Sequence, residues 1–333
     1  MSAVELERIR RLLCQLQDHV LESLLAARRR GARGMARIAA VTAADTIYAI
    51  DRVSETAVVA WFDRYWPRRW PVELVMEGLD ERHATTFPHG TPVGETRYKC
   101  ILDPIDGTRG LMYDKRSAWS LAGVAPQRGA HTGLDDIFVA AMTELPTSKG
   151  GAMDQLSAVR GRGVIATRRD LHTGRSTRFS PRPSRARDVA HGFASFAKFF
   201  PEGKTWLARA EEELWRKLKV TEGRDRQPVF DDQYLSTGGQ LYELLSGHDR
   251  FIADLRPLAF ARLRIKSALA CHPYDLAAAL VAREAGCIVT APDGRALNAP
   301  LDTTTPVAWV GYANATLARR IGPGLRQVLK LQR

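Results

Sequence analysis

A short apolar strand, Cys100-Ile101-Leu102, runs directly into two carboxylates, Asp103 and Asp106, with a proline between them. Few arrangements constrain a fold more, because an apolar segment seeks the core and a charge brought with it needs a partner there. Pro104 fixes its own φ and removes a backbone donor, so the strand is expected to end at that residue. Asp103 and Asp106 then converge on one side of a bend, with the Ile105 carbonyl between them. Three hard oxygens from four residues suit magnesium, which takes oxygen ligands in octahedral geometry. Gly107 and Thr108 add backbone N–H groups that an anion can use. The same residues also read as a plain Asp-Pro and Asp-Gly turn joining two elements, with no ligand at all.

At 333 residues the chain is long enough for two sub-domains with sizeable cores. With 45% hydrophobic and 26% charged residues, its composition is that of an ordinary globular protein. No apolar run approaches a membrane span and no signal-peptide pattern opens the sequence, so no membrane association is expected. Cys14, Cys100, Cys271 and Cys287 are scattered without a Cys-x-x-Cys pair, which fits reduced thiols and a cytoplasmic location. The net charge of +12 comes largely from arginine, in Arg28-Arg29-Arg30, Arg168-Arg169 and residues 175–187. Basic patches can hold nucleic acid, but no nucleic-acid motif accompanies them. A solvated arginine surface that steers an anionic substrate is the preferred reading, and a nucleic-acid partner is not expected.

Residues 4–25 carry apolar side chains at three- and four-residue steps and predict an amphipathic helix; Gly31 and Gly34 then leave residues 28–37 as a mobile basic loop. A second helix is expected over 44–65, with Ile50, Ala57, Val58, Trp61 and Phe62 on its buried face. Asp51 and Glu55, one turn apart, read as a solvated acidic flank. A strand over 73–76 delivers Glu77, and residues 79–96 read as a flexible lid. Strands over 118–125, 136–144 and 155–160 follow without intervening helices, which predicts an antiparallel sheet. Gly161-Arg162-Gly163-Val164 reads as a hairpin within it.

Pro181-Arg182-Pro183-Ser184 is the expected boundary between sub-domains 1–182 and 183–333. Beyond it, Ser236-Thr237-Gly238-Gly239 caps a helix stopped by Gly247. A strand over 251–254 ends in Asp254, and an Arg- and Leu-rich segment, 256–270, leads to Asp275. That residue reads as the N-cap of a helix over 276–284. Strands over 288–290 and 307–310, with a Pro292-Asp293-Gly294 turn between, are expected to complete a set of parallel strands. His248 and His272 are assigned structural roles.

Asp103-Pro104-Ile105-Asp106-Gly107-Thr108 resembles the signature of the inositol monophosphatase family of magnesium-dependent phosphomonoesterases. Glu77-Gly78 upstream and His272-Pro273-Tyr274-Asp275-Leu276-Ala277-Ala278-Ala279 downstream match the family's other motifs in order and approximate spacing, over roughly residues 40–315. The resemblance implies a layered α/β/α/β/α sandwich and hydrolysis of a small phosphorylated metabolite by a metal-activated water. It implies one magnesium on Glu77, Asp103 and the Ile105 carbonyl and a second on Asp103, Asp106 and Asp275, with Glu77 taking part in catalysis.

Thr108 and Asp51, near Asp45-Thr46, would orient the water in that scheme. Substrate contacts are implied for Asp106, Gly107, Thr108, Gly238, Gly239 and Asp254. Most relatives carry Glu-Glu where this chain has Glu77-Gly78, so two or three magnesium ions are compatible with it. Tyr274 stands in place of the family tryptophan, and the 256–270 segment is an insertion placed to shape the pocket rim. A homodimer is compatible with the resemblance. The rival reading is a phosphatase-like protein that binds polyanions without turnover.

Overall fold

A computed structural model describes residues 1–29, 38–41, 46–79, 84–220, 228–265 and 269–331, those of 38–41 and 46–53 by backbone alone. The chain opens with helix α1 (Ala3–Arg29), which buries Ile9, Leu12, Leu13, Leu16, Val20, Leu21 and Leu24 along one face. Burying each such side chain is worth about 1.5–3 kcal/mol. The helix runs past the expected end at residue 25, so Arg28 and Arg29 are helical rather than part of a loop. Arg28 donates to the Pro146 carbonyl, a tertiary contact that the local sequence does not encode. Strands β1 (Ile38–Val41) and β2 (Thr46–Tyr48) pair antiparallel, and helix α2 (Ala49–Tyr65) starts after them rather than at residue 44.

Next come β3 (Val72–Met76), β4 (Thr85–Phe87), β5 (Tyr98–Asp106) and the short helix α3 (Thr108–Met112). The expected lid thus contains a strand, β4, and a 3-10 turn at Val93–Glu95. Strands β6 (Ala118–Pro126), β7 (Val139–Leu145), β8 (Ala152–Val159), β9 (Val164–Asp170) and β10 (Ser176–Phe179) complete a sheet of eight, ordered β10-β9-β8-β7-β6-β5-β3-β4. All its pairings are antiparallel except β3 with β5. That parallel pair sets Met76 beside Leu102, so Glu77, which follows β3, comes beside Asp103, the next residue of β5.

The second half contributes β11 (Gly192–Phe196), α4 (Lys204–Lys217), β12 (Val229–Phe230), α5 (Thr237–Ser246), β13 (Asp249–Asp254) and α6 (Arg256–Leu263). Helix α7 (Ala279–Glu284), β14 (Ile288–Thr290), β15 (Trp309–Tyr312) and α8 (Ala315–Leu331) follow. The five-stranded sheet runs β12-β11-β13-β15-β14. Only β11 with β12 and β11 with β13 are parallel; β14 and β15 pair antiparallel, against the parallel arrangement expected of them. The reason is connectivity: β14 and β15 are joined by irregular chain with no crossover helix, and a parallel neighbour requires a crossover.

Each of the two larger sheets is covered on both faces, which gives the layered α/β/α/β/α sandwich. Tyr98, Cys100 and Leu102 of β5 pack with α1 and α2, whereas Ile101 faces the opposite way, toward α5 and α7. In the second sheet Ile252 faces α5 and α7, while Phe251 and Ala253 pack with Leu207 and Leu214 of α4 and Leu317 and Leu325 of α8. This alternation is the period-two pattern of strands buried on both sides. Gln17 is fully buried and donates to the Ser120 and Ala141 carbonyls while accepting from Thr143, which ties α1 to β6 and β7. All four cysteines are free thiols. No helix of the described residues is long and apolar enough to cross a membrane.

Candidate active site

Two carboxylates three residues apart on a regular strand point to opposite faces, and the structure resolves this with a bulge. Along β5, Asp103 pairs with Leu121 and Asp106 pairs with Trp119, so three steps on one strand span two on its neighbour. The extra residue turns both aspartates toward the face that Trp119 and Leu121 present to the middle helical layer. Pro104 therefore does not end the strand as expected. It sits inside the bulge, where its missing N–H leaves no gap in the ladder.

Asp103 is held by an N–H from Ile105 at 2.9 Å, and the Ile105 carbonyl accepts the Thr108 hydroxyl at 2.8 Å. Gly107 has φ +95°, and a Cβ there would stand 2.9 Å from the Ser236 side chain, so only glycine fits this turn. Asp275 arrives from the other half of the chain, inside a 3-10 turn at Tyr274–Leu276 rather than at a helix N-cap. It accepts the His272 N–H at 2.6 Å, which fixes its orientation. Oxygen atoms of Asp103, Asp106 and Asp275 all lie within 4.8 Å of one another. Glu77 and Glu55 line the same cleft, with Gly107, Thr108, Ser236 and Thr237.

Burial raises the pKa of Asp103 well above the carboxylate range, and the charges of Glu77, Asp106 and Asp275 push it the same way. Asp275 is raised by burial and by Asp106. Asp106 is pushed up by burial to about 6, against hydrogen bonds from the start of α5 that favour its charged form. Those bonds come from the Gly238 and Thr237 amides and from the Ser236 hydroxyl at 2.8 Å. Such a set, all hard oxygen and mutually repelling, fits a divalent cation of the magnesium class.

The structure thus brings Glu77, Asp103, Ile105, Asp106, Gly107, Thr108 and Asp275 to one cleft. The three other expected substrate contacts are not among the residues that line it. Gly238 donates to Asp106, and Gly239 donates to Ser236 Oγ as part of an ordinary helix cap. Asp254 is fully buried and bound to Arg256, so it has no free oxygen for a ligand. Arg256 is committed to that pair, while Arg262 lines a separate groove with Lys204 and Arg209. Asp45 and the side chain of Asp51 lie outside the described residues.

Ser236, Glu55, Phe199 and Phe200 line the cleft without having been singled out for it. The Ser-x-x-Gly cap before α5 was the available signal for Ser236, and the one-turn spacing from Asp51 was the signal for Glu55. Residue 78 has φ +87°, and a Cβ there would lie 2.0 Å from Glu55 Oε1, so the glycine is what admits that carboxylate. Neither histidine ring is among the residues lining the cleft: His248 pairs with Glu243 at the surface, and the His272 ring stacks on Tyr274 while its backbone serves Asp275.

No family model matches the sequence, and no curated protein matches it either. Solved structures do. SuhB, the extragenic suppressor protein of Bartonella henselae, superposes with a TM-score of 0.64 at 15% identity, covering 97% of this chain and 98% of that one. Fructose-1,6-bisphosphatase of Leishmania major gives 0.65 at 15% identity over 95% and 94%. An inositol monophosphatase from Zymomonas mobilis gives 0.57 at 17% identity over 99% and 100%. The chain has the fold of these proteins along essentially its whole length.

Proposed function

We propose that this chain is a divergent member of the inositol monophosphatase group and hydrolyses a small phosphate monoester with magnesium. The observation that carries the reading is the convergence of Asp103, Asp106 and Asp275, from two halves of the chain, within 4.8 Å. Glu77, Asp103 and the Ile105 carbonyl would hold one cation, and Asp103, Asp106 and Asp275 a second. Bound there, the cations supply a water of lowered pKa and neutralise charge on the leaving oxygen. Such phosphoryl transfer depends on positioning and charge neutralisation more than on a protein nucleophile.

The chain's own groups have distinct tasks in this scheme. Thr108 orients the attacking water, and the Gly107 and Thr108 amides receive the phosphate. Ser236 and the first amides of α5 orient Asp106 and favour its charged form against burial, so the site is set before substrate arrives. The division into 1–182 and 183–333 belongs to the same proposal, with Asp275 as the second unit's contribution to the first unit's motif. The test is phosphate release from a panel of monoesters by the full chain, with and without magnesium or manganese. Release only with the metal supports the reading. A folded protein inert across the panel overturns it in favour of polyanion binding without turnover.

A further inference from the structure

The cleft has a second wall of different chemistry, built from Phe199, Phe200, Leu235, Leu269, Ala270 and Tyr274. Phe199 and Phe200 meet edge-on at 5.1 Å and are only half-buried. Arg256 also lines the cleft and is 5% exposed, with its guanidinium 4.5 Å from the Phe199 ring and 5.5 Å from that of Phe200. Its Nε and Nη2 bind both oxygens of Asp254, and Nη1 donates to the Leu269 carbonyl at 2.7 Å. Asp254 and Arg256 therefore satisfy each other, and Asp254 does not line the cleft.

A hydroxyl-rich alcohol placed here would lose water and gain no carboxylate acceptor from Asp254, which is costly. An aromatic ring would instead find two aromatic partners already braced by a cation beneath them. Resting on the phosphomonoesterase reading above, we infer that the preferred substrate is the phosphate ester of an alcohol carrying an aromatic ring, seated by Phe199 and Phe200. Water adds to phosphorus as the ester P–O bond breaks, and the leaving oxygen takes a proton to give the free alcohol and inorganic phosphate. Phe199 and Phe200 touch only the alcohol part, so their contribution is to selectivity.

Two primary alkyl esters of similar leaving-group chemistry make the test: 2-phenylethyl phosphate and glycerol 1-phosphate, each with magnesium and the full chain. The expected kcat/KM ratio favours the phenylethyl ester by about tenfold or more, the order of an aromatic pair's specific contribution. Phe199→Leu, which keeps apolar volume but removes the ring, is expected to lower that ratio about tenfold, mostly through KM, with Phe200→Leu as a second variant. Equal or better use of the glycerol ester, or equal losses on both esters, overturns the inference. If neither ester is turned over, the monoester panel above decides the phosphatase reading. Calorimetric binding of the two esters to the magnesium-treated protein then decides the inference, tighter phenylethyl binding supporting it and equal binding overturning it.

Discussion

Asp106 and Asp254 each end a strand in one of the two sheets, both are buried, and the chain treats them in opposite ways. Asp254 is matched by Arg256 in a bidentate pair, with neither partner more than 5% exposed. Asp106 is given only neutral donors, Ser236 and the first amides of α5, and is set beside Asp103 and Asp275. The first acid is satisfied within the protein. The second belongs to a group whose mutual repulsion protonation or an added cation would relieve. Burial raises all three of these acids, and neighbouring acids add to the rise at Asp103 and Asp275; such a shifted group in a cleft is a stronger functional signal than one acid that is merely buried.

That contrast can be broken most severely at Arg256. Arg256→Met should destabilise the protein by about 3–5 kcal/mol, because it strands a buried carboxylate, whereas adding Asp254→Leu should recover most of the loss. Denaturant unfolding of both variants checks this; equal loss in the single and double variants would mean that the pair is not the cause. Asp106→Asn, by contrast, should leave the circular dichroism unchanged and lower phosphate release by about 100-fold or more, as loss of a metal-facing charge does.

The pH response should also report on the acidic group. Asp103, Asp106 and Asp275 have folded pKa values raised above their unfolded ones, Asp106 to about 6. In metal-free protein they contribute stability at low pH that is lost as pH rises through those values. Cation binding needs the ionised forms, so the rise in Tm caused by magnesium should be small at pH 5 and grow through pH 6 to 8. Magnesium at 100 times its Kd would add about 2.7 kcal/mol. A shift independent of pH in thermal scans would place the cation elsewhere. The smallest effect is expected at Gly78→Ala, a loss of about 1–2 kcal/mol from the positive φ, with weaker metal binding as Glu55 is displaced. Calorimetric titration of the variant with manganese reads that displacement directly.

How far the sequence carried the argument differs from residue to residue. Asp103, Asp106 and Thr108 lie within one hexapeptide, so their proximity is covalent and readable from spacing. The helical periodicity of residues 4–25 and the Ser236 cap are local as well, and both elements formed, the first running on to Arg29. Pro104 misled because a proline ends a strand only when the neighbouring ladder cannot absorb a bulge, and β6 does absorb it. The antiparallel setting of β14 and β15 escaped notice because short strands of similar composition do not encode their direction.

By itself, then, the sequence determined the residues that can hold a cation, their order along the chain and the layered architecture their resemblance implied. Only the tertiary structure decided that Asp254 is neutralised by Arg256, that Gly238 serves Asp106 and that Glu55 occupies the space above Gly78. The physical reason is that pairing of charges and filling of space depend on atoms brought together across many residues. No local pattern records which of two nearby groups a buried carboxylate will face.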